Sequence, residues 1–167
     1  MIWIGIDPGL QGAVCRIIEK NDGAILCLDW YDTPTRKAAR GHEFADGEMA
    51  LLLRRLVPPR SLPDQCFATI EQVSIRPGES GTSALKIGKG WGVWKGLLAG
   101  LGIPHEVVLP TIWKNHFGLG GCDKKASRAR AIELFPSKTE ELAKRRCDVS
   151  EAILLCEYGR RRQKGAK

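Results

Sequence analysis

Three observations predict an α/β fold built on a mixed sheet. Three short β-rich runs at the start, joined by tight turns, read as an antiparallel meander. Two later apolar runs alternate with helical patterns, as in α/β crossovers. The helical patterns carry apolar stripes, Met49/Leu52/Leu53/Leu56 and Val149/Ala152/Ile153/Cys156 among them, which a sheet would cover from both faces. The length of 167 residues, with 43% hydrophobic and 27% charged side chains, suits one globular domain with its own core. We assign that domain to residues 1–160 and a basic C-terminal tail to 161–167.

The elements follow in order. Ile2 to Ile6 is a β-branched strand stopped by Asp7-Pro8-Gly9, where Pro removes a ladder donor and Gly allows a turn. Gly12 to Glu19 and Ala24 to Tyr31 are strands flanking the hairpin turn Asn21-Asp22-Gly23. Helical spacing predicts a helix over Ala45 to Val57, halted by Pro58-Pro59. Cys66 to Ile70 is a strand ending at Glu71, and a Gly- and Ser-rich loop runs from Ser74 to Ser83. A glycine-rich helix over Ala84 to Leu101 has small residues that allow another backbone close, so a buried or dimer-forming helix is expected. His105 to Leu109 is a strand, Pro110 to Phe117 a short helix, and Lys124 to Phe135 and Asp148 to Arg162 are the closing helices. No internal repeat or linker interrupts this βββαβαβαα order.

Charge narrows the partner. Residues 1–83 hold 9 Lys+Arg against 11 Asp+Glu, a net −2, whereas residues 84–167 hold 17 against 8, a net +9. All of the basic excess lies in the second half, which suits a polyanion such as nucleic acid. Six cysteines, none in a C-x-x-C pair, lack zinc-site spacing, and most fall in apolar runs as small hydrophobes, so reduced thiols in a cytosolic setting are expected. No apolar run is long enough for a membrane span, and the N-terminus lacks the basic flank of a signal peptide.

The acids carry the chemistry. Asp7 and Glu71 each follow an aliphatic run, where a half-buried carboxylate costs free energy unless paired or bound to a cation. Asp148 and Glu151 stand three apart on a helix, beside the apolar stripe, and face one way. Each acid taken singly has an ordinary alternative: a turn residue for Asp7, a strand-end glutamate for Glu71, a helix cap and dipole partner for the last two. Four of them at element ends in a basic chain point instead to two divalent cations about 4 Å apart and to phosphodiester hydrolysis.

These residues carry a resemblance. Ile4-Gly5-Ile6-Asp7-Pro8-Gly9, Ile70-Glu71-Gln72-Val73, Ser83-Ala84-Leu85-Lys86-Ile87-Gly88 with Gly92, and Asp148-x-x-Glu151-Ala152-Ile153 occur in the order found in Holliday-junction resolvases of the RuvC family. Lys124-Lys125-Ala126-Ser127 and Leu134-Phe135-Pro136 resemble the phage and organelle branch of that family. Asp-x-Gly turns also hold phosphates in actin-like kinases, but those enzymes need two lobes and about twice this length.

The resemblance implies an RNase H-like fold, a homodimer, no nucleotide cofactor, and symmetric nicking of branched DNA with two Mg²⁺, for which Mn²⁺ substitutes. It places the work in a bacterial or phage-infected cytoplasm. Asp7, Glu71, Asp148 and Glu151 become the catalytic, metal-binding acids. Asp7 would bridge both ions, Glu71 would hold the leaving-group side, and Asp148 with Glu151 the ion that activates water. Lys124 or Lys125 corresponds to a basic residue near the scissile phosphate. Ser74, Ile75, Arg76, Ser83, Lys86, Lys89, Lys114, Lys124, Lys125 and Arg128 are the expected DNA-binding set.

Two departures stand out: Glu151 replaces a frequent Asp, and Ser74 occupies a place where bacterial members often carry a base-stacking aromatic, a contact worth about 1–3 kcal/mol. Flaps, forks or RNA as substrates, and a binding-only role, are the alternatives. Trp91 and Trp94 are expected to pack in a core or interface rather than stack on bases. His116 is a weaker catalytic candidate, and Arg160, Arg161, Arg162, Lys164 and Lys167 form a frayed tail able to touch DNA nonspecifically.

Overall fold

A computed structural model of the chain describes residues 1–39, 41–58, 65–75 and 77–165. The N-terminal meander forms as expected: β1 (Ile2–Asp7), β2 (Ala13–Glu19) and β3 (Ile25–Asp32) pair antiparallel, with Gly23 at positive φ in the second turn. Before the next strand of the main sheet come two three-residue strands, β4 (Thr35–Lys37) and β5 (His42–Phe44), which make a separate hairpin absent from the sequence expectation. Then follow α1 (Asp46–Leu56), β6 (Cys66–Glu71), α2 (Gly81–Gly100) and β7 (His105–Val108). β6 adds parallel to β1, and β7 parallel to β6, giving the order β3-β2-β1-β6-β7. The chain closes with α3 (Pro110–His116), α4 (Lys124–Leu134), a 3-10 turn at Pro136–Lys138, α5 (Thr139–Ala143) and α6 (Cys147–Gly165).

Strand alternation divides the core into two layers. Ile4 and Ile6 of β1 pack with Met49, Leu53, Trp94 and Leu98 beneath α1 and α2, whereas Trp3 joins Cys15, Ile17, Val149, Ile153 and Cys156 beneath α6. From Val149 to Gly159 every residue of α6 is buried, which explains why the stripe read from its sequence understates its burial.

Two expectations are corrected. α2 begins at Gly81 rather than Ala84, because the Ser80 hydroxyl accepts the Ser83 N–H and caps it. It is also less buried than its composition suggests. Only Gly90, Trp94 and Leu98 are fully covered, with Gly90 taking the ring of Phe44 against its Cα, while Gly88, Gly92 and Gly96 face open space. The frayed basic tail is the second. α6 runs on to Gly165, and its cations are held by ion pairs: Arg160 with Glu157 and Glu19, Arg161 with Glu157, Arg162 with Glu106, Lys164 with Glu19. Glu19 and Glu157 are almost fully buried and would be costly without these partners. Lys167 lies outside the described residues. All six cysteines are free thiols, and among the described residues no helix is long and apolar enough to cross a membrane.

Candidate active site

The site forms where β1 and β6, parallel neighbours, end side by side and the N-terminus of α6 crosses them. Asp7 is the last residue of β1, and its Oδ1 accepts the Gly9 N–H at 3.3 Å within the Asp-Pro-Gly turn. α6 starts at Cys147, so Asp148 and Glu151 lie within its first turns and neither is used as the cap. Oxygens of Asp7, Asp148 and Glu151 come within 4.8 Å of one another, a set able to hold a metal ion. Glu71, at the end of β6, stands outside that set yet beside it.

Electrostatics show how tightly the acids are packed. Burial pushes the Asp7 carboxyl up, the charges of Glu71, Glu151 and Asp148 push it further, and the result is about 7 despite the Gly9 N–H. Burial also raises Glu71, partly offset by a hydrogen bond from Trp113 Nε1 to its Oε2 at 2.8 Å.

Cations of the chain itself converge on the same oxygens. Lys124 Nζ lies 2.5 Å from Asp148 Oδ1 and 3.5 Å from Glu151 Oε2, and Lys114 Nζ lies 2.9 Å from Glu151 Oε1. Although burial pulls Lys124 down, Asp148, Glu151 and Asp7 outweigh it and bring the ammonium up to about 12. Arg146 donates to Asp148 Oδ2 at 3.2 Å and to the Gln11 carbonyl at 2.5 Å, tying the turn after β1 to the start of α6. Burial would raise Asp148, but Lys124 and Arg146 hold it below the ordinary carboxylate range.

All-carboxylate oxygen donors suit hard divalent cations such as Mg²⁺ or Mn²⁺. Asp7, Asp148 and Glu151, with oxygens within 4.8 Å of one another, are a donor set of that kind. The residues present therefore fit such an ion.

Of the two lysines left open by the sequence, Lys124 reaches the acids, while Lys125 is exposed and contributes its backbone N–H to the Asp123 cap. Lys114, expected on DNA, lies at the acids, paired with Glu151. Around the Asp7 turn, a cavity of about 220 Å³ is lined by Pro8, Gly9, Leu10, Phe44, Ser83 and Lys86. Ser74, Ile75 and Lys89 are exposed, with Lys89 3.5 Å from Asp46. Arg128 donates to the Arg145 carbonyl, and Arg76 lies outside the described residues.

His116 is away from the acids, edge-on to Phe117 and Tyr158. Trp94 is fully buried, and Trp91 packs against the same core with Lys95 over its ring. The Trp113–Glu71 bond, the Arg146 strap and the Ser127 hydroxyl at 3.4 Å from Glu151 were missing from the sequence expectation. Each joins residues far apart in the chain, and no spacing rule reports that.

Solved structures decide the fold. RuvC from Thermus thermophilus aligns over 99% of this chain and 97% of its own, with a TM-score of 0.64 and 16% identity. The chain has the RuvC fold. T. thermophilus RuvC in complex with Holliday junction substrate aligns over 97% and 96%, at a TM-score of 0.63 and 13% identity. Fowlpox virus resolvase, in complex with its substrate Holliday junction DNA, aligns over 99% of both chains at 0.51 and 13%. No protein-family model and no curated protein matches the chain in sequence. The RuvC fold here is an RNase H-like mixed sheet with helices on both faces, as expected.

Proposed function

We propose that the protein is a metal-dependent, structure-selective endonuclease that resolves four-way DNA junctions by paired, symmetric nicks. The observation that carries this is the convergence of Asp7, Asp148 and Glu151 within 4.8 Å, with Glu71 alongside, at the ends of the central strands of a RuvC fold. Two proteins of that fold are solved with Holliday junction DNA, which supports branched DNA as the substrate. The Lys124 and Leu134-Phe135-Pro136 motifs favour the phage and organelle branch, and a bacterial or phage-infected cytoplasm as the place of action.

Asp7, Glu71, Asp148 and Glu151 would hold two Mg²⁺ or Mn²⁺ ions, which activate water and stabilise the leaving oxygen when bound. Lys124 and Lys114 sit on the same acids and are suited to meet the scissile phosphate. Exposed Lys86, Lys89 and Lys125, with Ser74, Ile75, Ser83 and Arg128 and, by its place in the sequence, Arg76, supply the surrounding contacts, mostly to phosphates. Two strands must be cut in one junction, so a C2 homodimer is the working unit, and the exposed glycine face of α2 beside Leu85 is its candidate interface.

A substrate panel tests this. Equal amounts of four-way junction, fork, flap, RNA duplex and linear DNA duplex are offered with Mg²⁺ and with EDTA. Paired nicks in the four-way junction, dependent on Mg²⁺, are expected. Equal cutting of the linear duplex, or cutting in EDTA, contradicts the proposal.

A further inference from the structure

The indole of Trp113 is fully buried in the core cluster that also holds Val108, Phe117, Val149 and Ile153, so its ring cannot turn without disturbing the core. Its N–H points to a single acceptor, Glu71 Oε2, at 2.8 Å. This pairing is not a general demand of buried indoles here, since Trp91 and Trp94 leave Nε1 buried without a partner. Topology explains how it arises. Glu71 and Val108 are register partners in β6 and β7, and α3 starts two residues after Val108, with Pro110 in its first turn. One turn of that helix brings Trp113 back over Glu71 while its neighbour Lys114 reaches Glu151.

The two donors differ in kind. Lys114 and Lys124 neutralise the acids they touch, whereas an indole N–H is neutral and leaves the full charge of Glu71 available. It occupies one oxygen and fixes the carboxyl plane. We propose that Trp113 is a positioning residue: its N–H holds Glu71 so that this acid meets a divalent cation through one oxygen, in a preset orientation. This rests on the proposed role of Glu71 as a cation ligand. Hydrogen bonds from the surrounding shell that orient a ligand typically change metal affinity or activity by about 10–100-fold when removed.

Trp113→Phe keeps the ring and deletes the donor. Mn²⁺ binding to the DNA-free protein, followed by electron paramagnetic resonance, should weaken about tenfold at one site. On junction DNA, kcat should fall by a similar factor with KM unchanged, and Trp113→Phe combined with Glu71→Gln should be no worse than Glu71→Gln alone. A separate measurement needs no folded variant at position 113. The indole N–H resonance that Mn²⁺-free protein shows for Trp113 should shift in Glu71→Ala, while the other four indoles stay put.

Unchanged Mn²⁺ affinity in Trp113→Phe, where Glu71→Gln loses it, overturns the inference and leaves the proposed nuclease intact. An indole resonance unmoved by Glu71→Ala overturns it as well. If Mn²⁺ binding responds as expected but no junction is cut by wild-type protein, the inference stands and the proposed function fails.

Discussion

A Cβ placed on Gly5 would lie 2.2 Å from the carbonyl oxygen of Ala152, so the backbone of α6 rests directly on the backbone of β1. The same close approach sets the height of Asp148 and Glu151 above Asp7, two residues further along the strand. Gly5→Ala should force the helix away, at a cost of roughly 1–3 kcal/mol or more for an overpacked core. Cleavage should fall beyond what the lost folded fraction explains, because the acids no longer converge. Denaturant unfolding alongside Mn²⁺ affinity checks this, and a variant of full stability and full activity would show that the contact is not critical.

Lysines 124 and 125 should separate cleanly. Lys124→Ala removes a charge placed on Asp148 and Glu151, and cleavage should drop about 10²–10³-fold, as for other groups aimed at reacting charge. Lys125→Ala should leave the cleavage rate at saturation nearly unchanged and flatten the log–log salt dependence of binding by about 0.9 if it neutralises one phosphate. Rates and salt titrations on one junction distinguish the two. Reversed phenotypes would mean that Lys125 swings into the site in the complex.

The Asp7 carboxyl, raised to about 7 by burial and three neighbouring acids, titrates near 4 in an unfolded chain. The folded metal-free protein thus holds that proton more tightly than the unfolded one, and its stability should fall as pH rises from about 4 to about 7. Three pH units correspond to about 4 kcal/mol at most, and solvent screening and coupling reduce this to roughly 1–3 kcal/mol. In EDTA at pH 8, Asp7→Asn should raise Tm by roughly 3–8 °C and lose most of the pH slope. Added Mg²⁺ should stabilise the wild type more than the variant. An identical slope in both proteins would assign it to another group.

Much of this site was legible because each acid lies at or near the end of an element. Asp7 and Glu71 follow aliphatic runs that could only be strands, and Asp148 and Glu151 share a helix face by arithmetic. The β4–β5 hairpin was not legible, since Thr35-Arg36-Lys37 is short, polar and exposed on two of its three residues. Nor could the sequence report that Arg160 and Lys164 fold back onto Glu19, 141 and 145 residues away. A basic C-terminal cluster reads as a tail until the buried acids it satisfies are known.

That cluster makes its own prediction. Burial pushes Glu19 up, but hydrogen bonds from Lys164, Trp3 and Arg160 outweigh it and hold the carboxyl below its usual range. Its contribution should be present above the unfolded carboxyl pKa and vanish as pH falls through the lower folded value. Glu19→Ala would strand the Trp3 indole and half of Arg160, costing roughly 2–3 kcal/mol. Junction affinity at equal folded protein should be unchanged, and a large affinity loss would return this end of α6 to the DNA surface.

Ile75, 62% exposed, directly follows Ser74, which lacks a stacking ring. Ser74→Phe should tighten junction binding by up to the roughly 1–3 kcal/mol of one stack, and Ile75→Ala should slow cleavage without altering Mn²⁺ binding. Junctions with a fixed core and with a mobile crossover should be compared, because site preference appears only when the crossover can move. No change in affinity, rate or cut position would place the loop away from the crossover.

The central claim is that the converging carboxylates hold the ions that cut, while basic residues elsewhere hold the DNA. Asp7→Asn measured for both functions on one four-way junction tests it most directly. Removing a negative charge facing phosphates should leave junction affinity in Ca²⁺ or EDTA equal to or tighter than wild type. Cleavage in Mg²⁺ should disappear from both symmetric positions. Paired nicking that survives in Asp7→Asn would contradict the account.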